Sequence, residues 1–375
     1  MTIIGKRDEW DLIERLLPVG WQEQARLRGA FQRARRAQTP GDLLRLLLFH
    51  AVNDGGLRST VTQAAAAGLA RMSQVGLLKR MRSSVAWLTW IAAELCREFR
   101  DGAELPLAFR PRIVDSTTVQ APGARSTDWR LHYALDLQTL DCDWHELTDC
   151  HGAELLERVP IKPGDVLLGD RGYARAVGIA AVVKAGGHVI VRLPWNHGRT
   201  IDRDGRAFQV LARSRRVRVG QVREWEVRRI QGRGRAQCRV EGRIIAVRLP
   251  APLAHQSERR AARRAARQQR ATDPRTLEAA HFVFLFTTLS RAELSARNVL
   301  ELYRYRWQVE LAFKRHKQIL KLGQLPHRDP EAAQSWILSK LIVALLLEKL
   351  YRSSAISPWG YLVEPTIAAS PSKAA

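Results

Sequence analysis

Strand-like and helix-like patterns alternate between residues 110 and 194, and their order limits the folds open to this chain. Three runs rich in β-branched and aromatic residues, separated by turn-like segments, predict three successive antiparallel strands. A short helix, a strand, a second helix and a further strand are predicted to follow. The seven segments are RPRIVDSTTVQ (110–120), WRLHYALDL (129–137), CDWHELT (142–148), 152–158, DVLLGD (165–170), ARAVGIAAVVKAG (174–186) and HVIVRLP (188–194).

This β-β-β-α-β-α-β order predicts an α/β fold, a ribonuclease H-like mixed sheet with flanking helices. This alternation of strands and helices stops after residue 194, where sequences that alternate between apolar and polar residues predict a β-rich insertion. The core pattern returns with HFVFLFTTL (281–289), which is apolar on both faces, as is typical of a buried strand. We expect an all-helical N-terminal domain, a core in two parts split by the insertion, and a C-terminal tail. The expected bounds are 1–105, 106–194, 195–280, 281–350 and 351–375.

Two aspartates stand in matching positions of the predicted sheet. Asp115 follows RIV in its first strand, and Asp170 ends DVLLGD just before RGY and a helix. A carboxylate beside an apolar strand is costly to bury unless it is paired or bound to metal. The alternative role for each is a turn or cap residue.

A third carboxylate, Glu310, lies in ELYRYRWQVELAFKRHK (301–317), a predicted helix crowded with basic and aromatic residues. We expect Asp115, Asp170 and Glu310 to converge at one sheet edge. Such ligands suit Mg²⁺ or Mn²⁺, and two such ions catalyse phosphoryl transfer. Arg306 and Lys317 would then bind phosphate. Alternatively, Glu310 pairs with Lys314 and the cations form a solvated face.

The charge of the chain predicts a nucleic-acid partner. The 375 residues carry a formal net charge of +24, which calls for a polyanion such as nucleic acid. Residues 193–280 contain 22 Arg, no Lys and 8 Asp or Glu, a net +14. Arginine suits bidentate phosphate binding, although a GC-rich genome gives the same bias. Within SERRAARRAARQQR, helical spacing aligns four candidate DNA-binding residues: Arg259, Arg260, Arg263 and Arg264.

The N-terminal segment suggests a second DNA contact. Within TVTQAAAAGLARMSQVGLLKRMRSS, an Ala-rich helix, a break near Gly68 and a second helix capped by Ser73 suggest a helix-turn-helix. Its second helix would end near Arg82 and present Lys79 and Arg80 to DNA. The alternative is an ordinary helical hairpin with a basic end.

The apolar runs do not predict a membrane protein. The longest of them, such as LIVALLLEKL (341–350), are too short and too interrupted by charge to span a bilayer. We expect a cytoplasmic protein that makes no membrane contact.

The spacing Tyr303-x2-Arg306-x3-Glu310-x6-Lys317 resembles the Y-(2)-R-(3)-E-(6)-K signature of the IS4 family of insertion-sequence transposases. The segments VDSTT, STDWRLHYALDL and LLGDRGYA look like those around that family's two catalytic aspartates. The resemblance covers roughly residues 40–350.

The resemblance implies a DDE transposase with Asp115, Asp170 and Glu310 as a catalytic triad holding two Mg²⁺ or Mn²⁺ ions. It implies binding of terminal inverted repeats and target DNA, cut-and-paste strand transfer through a hairpin intermediate, and, by analogy, a homodimer on DNA. Tyr303 and Trp307 match residues that hold the DNA end, although their four-residue spacing also fits a core stripe. Two alternative functions remain: a catalytically idle DNA-binding protein, and a metal-dependent nuclease of the same fold.

Overall fold

The computed structural model describes residues 8–32, 37–53, 56–101, 109–120, 129–139, 141–232, 237–306, 325–326 and 329–353. The chain divides into two compact units. One, mainly helical, comprises Met1–Leu95 and Ser335–Ala375, and the other, which holds the sheet, comprises Cys96–Gln334.

The helices of the helical unit form around leucine-rich sequences. They are α1 (Asp8–Leu16), α2 (Trp21–Leu27), α3 (Pro40–Val52), α4 (Leu57–Ala66), most of α5 (Gln74–Asp101) and most of α11 (Pro330–Ser353). Pro40 begins α3, and a capping box between Thr39 and Asp42 closes its first turn. The indole of Trp87 stacks on Trp21, with ring centroids 6.1 Å apart, and donates a hydrogen bond to the Trp21 carbonyl.

Helix α5 corrects the expected helix-turn-helix. Ser73 caps its start, since the Ser73 hydroxyl accepts a hydrogen bond from the Gly76 amide, but the helix does not end near Arg82. It runs on to Asp101 without interruption. The reason is an unbroken buried stripe at spacings of three and four residues, formed by Leu77, Met81, Ser84, Leu88, Ile91 and Leu95.

Helix α11 is long and apolar enough to cross a membrane, because the apolar run continues toward Pro330. Its window has a mean hydropathy of 1.3, yet 72% of that window is buried inside the protein. Such burial is what a core helix of a globular protein shows.

The strands of the second unit form one mixed sheet of nine strands, in the order β3-β2-β1-β4-β5-β9-β8-β7-β6. Strand β4 pairs in parallel with β1 and β5, and the other pairs are antiparallel. The strands are β1 (Arg110–Val119), β2 (Trp129–Asp136), β3 (Cys142–Asp149), β4 (Asp165–Gly169), β5 (His188–Arg192), β6 (Thr200–Ile201), β7 (Val222–Gln231), β8 (Cys238–Arg248) and β9 (Phe282–Thr287).

All five strands predicted before residue 195 are present. The helix expected around 152–158 is instead a single 3₁₀ turn, Leu156–Arg158. A second 3₁₀ turn, Arg171–Tyr173, directly follows Asp170. The helices of this unit are α6 (Ala176–Lys184), α7 (Val210–Ser214), α8 (Ala251–Arg267), α9 (Pro274–Ala279) and α10 (Ala296–Arg304).

The arginine-rich segment continues the sheet of the core. Strand β8 pairs with β9 along Arg243–Arg248, and β9 pairs with β5. One apolar cluster accordingly contains residues from both regions, including Leu167, Val191, Ile179, Ile244 and Phe286.

The helix after β9 follows a separate turn. Ser290 and Glu293 form this turn reciprocally, since each side chain accepts a hydrogen bond from the other residue's amide. Ser295 is the N-cap of α10, and its hydroxyl accepts a hydrogen bond from the Asn298 amide.

Candidate active site

The parallel pairing of β1 and β4 brings Asp115 and Asp170 to one level of the sheet. Ile113 pairs with Leu168, and two residues further along each chain lie Asp115 and Asp170. Apolar residues before each aspartate fix both strands in the core, since Val114, Leu167 and Leu168 are buried. Asp170 lies close enough for its charge to act on the Asp115 carboxylate.

A backbone amide close in sequence holds each carboxylate. The Ser116 amide donates to Asp115 Oδ1 at 2.8 Å, and the Gly172 amide donates to Asp170 Oδ1 at 2.7 Å. Asp170 is also the N-cap of the 3₁₀ turn Arg171–Tyr173. The cap role considered from sequence is thus real for Asp170, and it fixes the carboxylate beside Asp115.

Burial and neighbouring acids disfavour the charged form of the Asp115 carboxylate. Burial, together with the charges of Asp170 and Glu154, raises the pKa of Asp115 to about 6, against the opposing effects of the Ser116 amide and Arg306. Burial and the same three acids also raise the pKa of the Tyr173 hydroxyl. A bound cation would offset this repulsion.

The end of α10 brings a cation and an aromatic ring to the aspartates. Arg306 Nη1 lies 3.9 Å from Asp115 Oδ2, and the Arg306 guanidinium lies 5.9 Å from the centre of the Tyr303 ring. Burial raises the pKa of Tyr303 to about 12, so its hydroxyl stays protonated at neutral pH. Two of the residues predicted from the signature therefore lie at the aspartates.

A cavity of about 480 Å³ opens beside Asp170 and is lined mainly by cationic and small side chains. Tyr303 and Arg306 border it on one side and helix α8 on the other. Its five arginines are Arg171, Arg192, Arg260, Arg264 and Arg306. Burial and the nearby charges of Arg192 and Arg264 lower the pKa of Arg171. An anion in the cavity would relieve this repulsion.

The chain matches the family described as Transposase DDE domain over residues 108–346. It is 34% identical to the transposase InsL for insertion sequence element IS186A of Escherichia coli (strain K12), over 94% of this chain and 96% of the relative. It is also 34% identical to the transposase for insertion sequence element IS421 of Escherichia coli, with the same coverage.

This chain belongs to the DDE transposases.

The predicted IS4 family membership is confirmed, since IS186 and IS421 are elements of that family. A solved piggyBac transposase synaptic complex with hairpin DNA aligns with 92% of this chain and 73% of that chain, at 10% identity and a TM-score of 0.44. Such a low score does not establish a shared fold.

The other residues predicted for the site lie in three different locations. Arg260 and Arg264 line the cavity, whereas Arg259 and Arg263 are exposed on α8 and do not line it. Lys79 is exposed in the helical unit, and Arg80 there donates to the Ala30 carbonyl at 3.2 Å. Three further residues lie outside the described part of the chain: Trp307, Glu310 and Lys317.

Arg171 and Arg192 belong to the site but were not predicted from sequence. A signal for both was available, because Arg171 directly follows Asp170 and Arg192 ends β5, the strand next to β4. Neighbouring parallel strands end at one sheet edge, so a basic residue ending β5 is expected near Asp170.

A DDE transposase domain implies the use of a divalent metal ion, and the described residues are chemically suited to hold one. Asp115 and Asp170 supply hard carboxylate oxygens, which divalent cations such as Mg²⁺ and Mn²⁺ prefer. Among the described residues, no group of three or more Asp, Glu, His or Cys side chains is placed so that it could hold a metal ion. The third predicted ligand, Glu310, lies outside those ranges.

Proposed function

We propose that this transposase binds the terminal inverted repeats of its insertion sequence and catalyses metal-dependent cleavage and strand transfer of double-stranded DNA. The observation that carries the proposal is the meeting of Asp115 and Asp170 beside Arg306, at the mouth of a cavity lined by arginines. Carboxylates for metal and cations for phosphate thus occur together, which is the combination that DNA phosphoryl transfer requires.

In this proposal Asp115, Asp170 and Glu310 form the catalytic triad and hold two Mg²⁺ or Mn²⁺ ions. When bound, such ions activate the attacking oxygen and stabilise the leaving oxygen. The chain itself orients the ligands, since the amides of Ser116 and Gly172 fix one oxygen of each aspartate. Arg306, held between Asp115 and the Tyr303 ring, binds phosphate next to the reacting bond.

The DNA backbone passes through the arginine-lined cavity. Arg171, Arg192, Arg260 and Arg264 bind its phosphates there, and Lys317 adds a further contact. Tyr303 and Trp307 brace the DNA end, with Trp307 stacking on a base displaced as a hairpin forms. The exposed Arg259 and Arg263 bind DNA outside the cavity.

The same proposal assigns a role to each expected domain of the chain. Residues 106–194 and 281–350 form a ribonuclease H-like catalytic core, a proposal supported by the order β3-β2-β1-β4-β5 and its parallel pairs. Residues 195–280 are the DNA-binding insertion, residues 1–105 a helical DNA-binding domain that uses Lys79 and Arg80, and 351–375 the tail. The transposase acts in the bacterial cytoplasm as a homodimer on DNA.

The test uses a supercoiled plasmid that carries the inverted repeats flanking this gene, incubated with the transposase and Mg²⁺. Nicked or hairpin ends together with insertions support the proposal. DNA that is bound but uncut indicates an idle DNA-binding protein, and cut DNA without insertion indicates a nuclease.

A further inference from the structure

A glutamate outside the predicted triad lies beside the two residues whose amides hold the aspartates of the site. Glu154 belongs to the segment between β3 and β4 and is partly buried, with 29% of its side chain exposed. Its charge acts on both Asp115 and Tyr173. It matches no position of the signature and had no role in the sequence-based predictions.

One carboxylate oxygen of Glu154 fixes the residue that holds Asp115. Glu154 Oε1 accepts a 2.7 Å hydrogen bond from the Ser116 hydroxyl, and the Ser116 amide in turn donates to Asp115. The same oxygen lies 3.3 Å from Arg130 Nη1, on strand β2. The ion pair with Arg130 thereby helps to hold the carboxylate beside Ser116.

The other oxygen lies next to the residue that holds Asp170. Glu154 Oε2 lies so close to Gly172 that a Cβ added there would collide with it. Gly172 is the residue whose amide donates to Asp170. The same added Cβ would be 3.1 Å from Asp170 Oδ1, a tighter but tolerable contact. The absence of a side chain at position 172 is therefore what admits the glutamate.

We propose that Glu154 is a positioning residue that couples the two metal-binding aspartates, by contacting both Ser116 and Gly172, the residues whose amides hold them. One side chain thus sets the separation of two carboxylates on different strands. This inference rests on the proposed metal-binding role of Asp115 and Asp170.

The first test measures Mn²⁺ binding to the full-length transposase by isothermal titration calorimetry, without DNA. Removing an outer partner of a metal ligand costs roughly 10- to 100-fold in metal affinity, and we expect Glu154→Ala to raise the Kd for Mn²⁺ within that range. Glu154→Gln should raise it far less, because the amide oxygen still accepts from Ser116. Glu157→Ala, which removes an exposed glutamate from the adjacent 3₁₀ turn, should leave the Kd unchanged.

The second test is a double-mutant cycle between positions 154 and 172. Gly172→Ala alone should weaken Mn²⁺ binding, because the new methyl group displaces the glutamate. In the Glu154→Ala background the same substitution should have little further effect, since the space is then free. Should Glu154→Ala fail to fold, as shown by its melting temperature, Ser116→Ala supplies the same comparison by removing the hydroxyl donor.

Three results would overturn the inference: an unchanged Kd in Glu154→Ala, independent effects of Glu154→Ala and Gly172→Ala, or an equal loss of affinity in Glu154→Gln and Glu154→Ala. The last would make Glu154 itself a ligand. Asp115→Ala and Asp170→Ala in the same titration test separately whether the two aspartates bind metal at all. If those two leave Mn²⁺ binding intact, the proposed metal site itself is wrong.

Discussion

Arg112 lies on β1, three residues before Asp115, and its charged side chain is buried. Its guanidinium bonds Asp143 on β3 at 2.6 Å and Asp165 on β4 at 2.9 Å, with 1% of the side chain exposed. Burial alone would lower the pKa of Arg112, but the two aspartates outweigh it and raise the pKa above its ordinary value. The ion pairs therefore tie β1, which carries Asp115, to β3 and to β4, the strand that directly precedes Asp170.

We predict that Arg112→Ala destabilises the transposase by about 3–5 kcal/mol, because it removes the closer ion-pair partner of the buried Asp165 and leaves the buried Asp143 paired with Arg110 alone. The free energy of unfolding in urea measures the effect. The matched control is Arg228→Ala on β7, whose pair with Glu241 is exposed and whose removal should cost less than about 1 kcal/mol. Equal destabilisation of the two variants would contradict the structural role of Arg112.

At the scale of elements, helix α8 presents arginines in two directions. Arg260 and Arg264 line the cavity beside Asp170, whereas Arg259 and Arg263 do not line it. The regular spacing of arginines predicted the helix, but it did not distinguish these two pairs.

We predict that Arg260→Ala/Arg264→Ala flattens the dependence of log affinity for DNA on log salt by roughly 0.9 for each phosphate that the protein no longer neutralises. The matched variant Arg259→Ala/Arg263→Ala removes the same charge from the same helix and should change the slope less. Filter binding at a series of salt concentrations measures both. An equal change in the two slopes would mean that the net charge of the helix, not the cavity, binds DNA.

The helix predicted to carry Glu310 lies mainly outside the described residues, so its assignments rest on the family signature. We predict that Trp307→Ala impairs hairpin formation and spares the first nick, because stacking on a displaced base is needed only once the strand is cut. A stepwise cleavage assay on a labelled DNA end separates the two products. Equal reduction of both, with a lowered melting temperature, would instead place Trp307 in the protein core.

Local sequence patterns predicted the helices and strands well where residues nearby in the sequence determine the secondary structure. The β-branched runs around Asp115 and before Asp170 became strands with nearly the expected bounds. The end of α5 was mispredicted near Arg82, whereas the helix continues through Ser83 and Ser84, whose hydroxyls both donate to the Arg80 carbonyl. The buried residues before and after this point, from Leu77 to Leu95, keep the segment helical.

The site was predictable only in part, for a related reason. Asp115 and Asp170 were identified because each stands beside an apolar strand. Glu154 was not, since nothing near it in sequence shows that Ser116 and Gly172 would meet it after folding. The pairing of β8 with β9 likewise depends on contacts between distant segments.

At the scale of the whole molecule, we expect assembly of the proposed homodimer to depend on DNA. Its strong positive charge opposes association of free protomers, and DNA neutralises that charge. We predict a monomer in the absence of DNA and a complex with two protein chains on cognate ends. Sedimentation equilibrium measures the masses, and a stable dimer without DNA would contradict the prediction.

The central claim is that Asp115, Asp170 and Glu310 act together as metal ligands. Its most direct measurement is cleavage of a labelled inverted-repeat end in Mg²⁺ by Asp115→Ala, Asp170→Ala and Glu310→Ala, with end binding measured in parallel. The control is Asp204→Ala, which removes an exposed aspartate from the turn after β6. We predict that each triad variant loses cleavage and keeps end binding, while the control keeps both. Near-normal cleavage by any one triad variant would show that its carboxylate is not a ligand and would contradict the claim.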